Sequence, residues 1–374
     1  MSARSGNPLA AWRSAASWPS SAQWLALLTL SAIISFIWSA AGLPAALLLG
    51  PMISGIAFGV NGLRLAVPRL PYLGAQGLLG AMIASAITPA IVASFIHDAP
   101  LFCLVIAATL VGAAAIGWLI SRSGLIPGAT AIYGTSPGAA TAMVLLGEAE
   151  GADVSLVAFM QYSRVLLVAL GAALVAHFWS GAAGAHAPHA PWLAPVHWVN
   201  LAAVLLLAAL GQLAARLLRL PAWALLGPML LLSALHAGGW LNIQLPRWLL
   251  AAAYALIGWH IGLGFSRDAL RHAGKTLPVV AVAAICLMSF CGLLAWGLMR
   301  LAHVDALTAY LATSPGGLDS VAVIAASTPQ VDLSFVLGMQ SMRLLLVIGL
   351  APLLTRLVVR HSAHLQAAKS SAGD

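Results

Sequence analysis

The sequence predicts an all-α polytopic membrane protein, built as two inverted repeats with about ten transmembrane helices and two re-entrant hairpins. Three observations predict it. Of the 374 residues, 61% are hydrophobic and only 7% charged, and mean hydropathy is +0.98, whereas about a quarter of a soluble domain is charged. Apolar runs long enough to cross a hydrocarbon core of about 30 Å as helices recur along the whole chain. Two short motifs each occur twice, one period apart, which marks a duplicated unit.

Residues 1–21 form a polar tail with Arg4 and Arg13, expected on the cytoplasmic side. The apolar run at 24–41 imitates a signal peptide, with small residues Ser39, Ala40 and Ala41 near its end. A matching run opens the second half, so a retained helix is expected. The next helix, 44–60, begins Leu43-Pro-Ala-Ala-Leu-Leu-Leu-Gly-Pro-Met52, which Leu220-Pro-Ala-Trp-Ala-Leu-Leu-Gly-Pro-Met229 repeats at eight of ten positions. Helices follow at 72–95 and 101–120, then a broken region at 125–147 and a helix at 154–179. The second half repeats the order at 198–215, 221–240, 248–265, 277–298, 304–326 and 333–354. The chain thus divides into an N-terminal tail (1–21), repeat one (22–179), a linker rich in Ala, Gly, Pro and His (180–197), repeat two (198–356) and a cytoplasmic C-terminal tail (357–374). Each half is expected to be one structural unit.

The broken regions hold the second motif, Thr135-Ser136-Pro137-Gly138 and Thr313-Ser314-Pro315-Gly316. Each is followed by a helix with a lone arginine, in Met160-Gln161-Tyr162-Ser163-Arg164 and Met339-Gln340-Ser341-Met342-Arg343, so the period is 177 to 179 residues. About ten residues lie on either side of each tetrapeptide, which at about 1.5 Å per residue reaches half the bilayer. A hairpin that dips in and returns therefore fits.

Charge placement agrees. With re-entrant hairpins and the N-terminus inside, 13 of the 17 Lys and Arg face the cytoplasm, Arg247 and Arg300 face outside, and Arg164 and Arg343 lie in the membrane. If the broken regions spanned, the balance would fall to 10 against 5. The positive-inside rule favours the first arrangement, and so inverted repeats. The net charge of +8 comes from residues scattered singly or in pairs over short loops, which argues against a nucleic-acid partner. Cys103, Cys286 and Cys291 lie in apolar helices without disulfide or ligand spacing and are expected to be inert packing residues.

At each tip, Ser136 and Ser314 are expected to cap the following helix, with Pro137 and Pro315 at its first position. Gly138 and Gly316 leave room for close approach. The tips would then offer amide donors and a positive helix end at mid-membrane, an anion site. Arg164 and Arg343 sit at the same depth, and Gln161 and Gln340, three residues earlier, share their helix face. Each arginine either contacts substrate or clamps the carbonyls of its broken helix. Asp319, the one acidic residue inside an apolar segment, either pairs with an arginine or couples transport to a proton or sodium ion. His260 either carries protons or packs. The histidines around the linker, His177, His186, His189 and His197, are spaced irregularly, which favours a solvated loop over a metal site. No nucleophile motif, phosphate loop or metal-ligand set occurs, so neither a cofactor nor an enzyme is expected.

The Leu-Gly-Pro-Met, Thr-Ser-Pro-Gly and Gln-to-Arg segments together resemble the bacterial AbrB-type integral membrane family, whose members carry an internal AbrB duplication, over about 24–356. The resemblance implies an inner-membrane protein and a description as a regulator of gene expression, distinct from the soluble DNA-binding regulator of that name. Family members were once labelled ammonia monooxygenases. A copper site needs clustered histidines, and the apolar helices offer only His260, with His236 near a helix end.

The expected function is secondary transport of a small, carboxylate-like anion by alternating access, with a membrane sensor affecting gene expression indirectly as the alternative. Expected partners are the lipid bilayer, the anion, a coupling proton or sodium ion and a second copy of the chain.

Overall fold

The computed structural model describes residues 18–347 apart from 42–44, 64, 88–98, 138–142, 144–146, 149, 180–191, 193–194, 221, 266, 268–270, 272–273, 275, 329 and 344–345. The tails, most of the linker, Gly138 and the end of the last expected helix lie outside the described residues.

In chain order the helices are α1 (Ser20–Ala40), α2 (Ala46–Val60), α3 (Arg69–Ala86), α4 (Ala99–Arg122), α5 (Gly128–Thr135), α6 (Val154–Trp179), α7 (Trp198–Leu217), α8 (Trp223–Ala237), α9 (Arg247–Leu263), α10 (Leu277–Ala302), α11 (Ala306–Thr313) and α12 (Leu318–Ala326), with α13 over 333–343. Among the described residues there is no strand. Helices α1, α4, α6 (over Val154–Val175), α7 and α10 are long and apolar enough to cross a bilayer. The protein is a helical membrane protein.

The duplication extends to backbone conformation. Ala45 and Ala222, which precede α2 and α8, both adopt left-handed φ values, 58° and 46°, which L-residues rarely do. Helices α2 and α8 each carry an internal proline, Pro51 and Pro228, at equivalent positions.

Helix contacts divide the molecule into two bodies, each drawing on both halves. A frame comprises α1, α2, α3, α7, α8 and α9, while a second body comprises α4, α5, α6, α10, α11 and α12. Among the described residues, contacts thus run between the two halves in both bodies as well as within each half. Glycine explains the contacts between halves. In the frame α2 lies against α9 of the other half, where a Cβ on Gly258 would stand 2.5 Å from the Leu48 carbonyl oxygen. The equivalent pair, α8 against α3, puts a Cβ on Gly80 2.6 Å from the Leu225 carbonyl oxygen. Only glycine allows backbones this close, and such small-residue contacts drive helix association where lipid already solvates apolar side chains.

Buried polar side chains tie the frame further. The Trp259 indole donates to the Ser31 hydroxyl at 2.9 Å, and that hydroxyl shares a 2.6 Å hydrogen bond with Ser54. Gln212 donates to the Leu73 and Ala224 carbonyls, both at 2.8 Å. Bonds of this kind average about 0.6 kcal/mol in a bilayer, so they orient the helices more than they hold them.

The second body contacts the frame where α3 meets α12. The Ser341 hydroxyl on α13 also reaches the Met229 sulfur on α8, 3.4 Å away.

Candidate functional site

The second body holds both tetrapeptides. Helices α5 and α11 are eight residues each, about 12 Å at 1.5 Å per residue, less than half a bilayer. They stop where the proline forces its predecessor out of the helical region: Ser136 has ψ 123° and Ser314 ψ 136°. Both chains then come back to where they began. The Asp153 N–H donates to the Thr130 hydroxyl at 3.0 Å, and the Asp332 N–H to the Thr308 hydroxyl at 3.1 Å. Asp153 and Asp332 next cap α6 and α13, accepting from the Leu156 and Phe335 amides, both at 3.0 Å.

A helix that ends inside the body leaves its last carbonyls without intrahelical donors, and each orphan in apolar surroundings is costly. The duplicated residues supply the donors. The Thr135 hydroxyl donates to the Ala131 carbonyl at 2.9 Å and the Ala113 carbonyl at 3.2 Å, anchoring the end of α5 to α4. Thr313 does the same to Ala309 and, on α10, to Cys291, both at 3.0 Å. Gln161 donates to the Tyr133 carbonyl at 2.6 Å and the Ser136 carbonyl at 3.0 Å. Its counterpart Gln340 donates to the Leu311 carbonyl at 2.8 Å and the Ser314 carbonyl at 3.2 Å.

The arginines complete the set. Arg164 donates from Nη1 to the Ser136 carbonyl at 2.6 Å and from Nη2 to the Gln161 amide oxygen at 2.8 Å. Arg343 donates from Nη1 to the Ser314 carbonyl at 2.5 Å, and from Nη2 to the Gly316 carbonyl at 2.9 Å and to the Gln340 amide oxygen. Each cation thus sits at the negative, C-terminal end of a short helix. They are 3% and 5% exposed, and among the described residues every acceptor of both is an uncharged oxygen.

The two sites converge. A Cβ on Gly316 would stand 3.1 Å from a Val168 methyl, and one on Gly317 3.7 Å from a Val165 methyl. The second tip therefore packs on α6 of the first half, within a turn of Arg164.

The serine reading is corrected. In the second half Ser314 does not cap the following helix: its hydroxyl donates to the Leu311 carbonyl at 3.0 Å. The Ser136 hydroxyl likewise donates to the Ile132 carbonyl at 2.7 Å, and the segment it was expected to cap lies outside the described residues. In the second half Gly317 is the N-cap and Leu318 opens α12, so Pro315 is not at its first position. The orphaned carbonyls of the ending helix are the nearer partners. Pro137 and Pro315 are both buried. Gly138 lies outside the described residues, and Asp319 falls within the first turn of α12 with its side chain outside the description.

Other expected candidates lie elsewhere. His260 belongs to the frame, stacked on Tyr72 with ring centroids 3.9 Å apart. Cys103 and Cys286 are exposed and Cys291 buried, all as free thiols. Sequence reasoning missed the Thr130–Asp153 and Thr308–Asp332 pairs. The period itself was the available signal, since each residue recurs 178 or 179 positions on.

Residues 47–359 match the family model described as "Transition state regulatory protein AbrB". The chain is 44% identical over 333 residues, 89% of its own length and 95% of the relative's, to a protein of Escherichia coli (strain K12) named "Putative regulator AbrB". It is 26% identical over 264 residues, 66% of either chain, to a Bacillus subtilis (strain 168) protein named "Uncharacterized protein YhjN". By this match over most of its length and this degree of identity, the chain belongs to the AbrB family.

Proposed function

We propose that the protein is a secondary transporter of a small, carboxylate-like anion, working by alternating access around the centre where the two tips converge. One observation carries this reading: the Arg164 and Arg343 guanidinium groups are buried at the two tips, and their acceptors among the described residues are all uncharged oxygens. Arginine stays protonated in proteins, so the centre holds two positive charges that a bound anion balances. Thr135, Ser136, Pro137, Gly138, Gln161 and Arg164, with Thr313, Ser314, Pro315, Gly316, Asp319, Gln340 and Arg343, make up the site.

The hairpin closures at Thr130–Asp153 and Thr308–Asp332 support segments that dip in and return. Five spans per half invert the second half relative to the first, as the charge bias requires. Both termini are then cytoplasmic, in the bacterial inner membrane. The division into two bodies, each drawing on both halves, supports a mechanism in which the site-bearing body moves against the frame. Asp319 or His260 couples that motion to a proton or sodium ion.

A second reading, a membrane sensor that binds a similar anion, is favoured by the name "Putative regulator AbrB" of the Escherichia coli relative. Purified protein in liposomes separates the two. Accumulation of a labelled short carboxylate under an imposed proton or sodium gradient supports the transporter, and saturable binding without flux supports the sensor.

A further inference from the structure

The two arginines, duplicated in sequence, both bond their tips and glutamines through Nη1 and Nη2. Arg343 uses Nη1 and Nη2 on two tip carbonyls and the Gln340 amide oxygen. Arg164 uses the same two nitrogens on the first tip and Gln161, and its Nε–H is buried without an acceptor among the described residues. An unsatisfied donor on a charged group is costly, because its hydration has been removed and nothing replaces it. The same side chain borders a cavity of about 10 Å³, walled by Gly134, Thr135 and Met160 of the first half and Val280, Ala283, Ala284 and Leu287 of the second. That is room for about one water-sized atom. The α10 wall is wholly aliphatic, so no side chain there supplies the missing acceptor.

We propose that this cavity is an acceptor subsite for one anionic atom, a carboxylate oxygen or a halide, bound by the Arg164 Nε–H. The proposal rests on the anion reading of the centre and sharpens it: Arg164 grips the ligand, while Arg343 holds the second tip. A single acceptor atom fits beside Ala283 and Ala284, so a carboxylate places one oxygen there and keeps the rest of the group outside. The aliphatic wall strips water from the ion, which strengthens a charge-assisted hydrogen bond. The subsite is lined by both halves, so any shift of α10 against α6 opens or closes it.

Bromide and acetate are the probes. Wild-type protein, its structure determined in sodium bromide, is expected to show an anomalous peak within hydrogen-bonding distance of Arg164 Nε. No peak there, or a fixed water that bromide does not displace, overturns the proposal. In a second measurement, protection against thermal unfolding is titrated with sodium acetate for the wild type and for the cavity-filling variants Ala283→Val and Ala284→Val. A tenfold or greater rise in the acetate midpoint is expected in at least one variant, and unchanged midpoints in both overturn the subsite. Flux separates this proposal from the transporter reading. Transport that persists with the cavity filled sinks the subsite alone, whereas bromide at Arg164 in a protein with no flux sinks the transporter alone.

Discussion

Arg164 Nη1 lies 2.6 Å from the carbonyl oxygen of Ser136, 28 residues earlier in the chain. The bond joins a cation to the open end of α5, and the second half repeats it between Arg343 and Ser314. Each arginine is therefore part of the fold whatever it does with a ligand.

Truncating either arginine is expected to destabilise the protein. Arg164→Ala leaves the Ser136 carbonyl with only Gln161 as donor, and Arg343→Ala strips Gly316 as well. The expected loss is about 1–3 kcal/mol for each group left unsatisfied, read as a lower midpoint of thermal unfolding in detergent. Unchanged midpoints in both variants would show that these bonds do not hold the tips.

The threonine staples can be cut without changing shape. Thr130→Val removes the acceptor of the Asp153 amide, and Thr308→Val that of Asp332. Each is expected to cost about 1 kcal/mol and to speed hydrogen exchange at the start of α6 or α13. Exchange that stays at the wild-type rate in both argues that the hairpins are closed by something else.

Glycines divide into two classes. Gly80→Leu and Gly258→Leu force the α3–α8 and α2–α9 backbones apart, so loss of folded protein is expected, by more than the roughly 1–3 kcal/mol typical of overpacking. Gly292→Ala and Gly297→Ala on α10 meet nothing within 4 Å. Those are expected to gain about 0.5–1 kcal/mol from the lower chain entropy. Equal melting temperatures across all four would contradict the close packing described.

Membrane topology is testable at the hairpin ends. Glu150 and Gln330 are both exposed, and inverted repeats put them on opposite faces. Glu150→Cys is expected to react with an impermeant maleimide only from the cytoplasmic side and Gln330→Cys only from outside. Labelling of both from one side would make the repeats parallel.

Motion between the bodies predicts a lock. Ser341 on α13 touches Met229 on α8 across the boundary. Oxidising the pair Ser341→Cys and Met229→Cys is expected to stop flux, with recovery on reduction. Full flux in the cross-linked protein would mean that the two bodies need not separate there.

The membrane class, the duplication and the recurrence of the Thr-Ser-Pro and Gln-to-Arg segments were legible in the chain, because composition, length and recurrence are properties of the sequence alone. Each broken region could be read as well, since a proline announces a helix end and an arginine in an apolar run announces a buried partner. The partner itself was not legible. Serine before proline suits a helix start as well as a helix stop, and the Ile132 and Leu311 carbonyls decide for the stop only once α5 and α11 end beside them. Nor could the sequence say that α2 packs on α9 and α8 on α3. Helices apolar all round carry no stripe that names a neighbour, so that choice fell to Gly80 and Gly258, whose missing side chains matter only when another backbone lies against them.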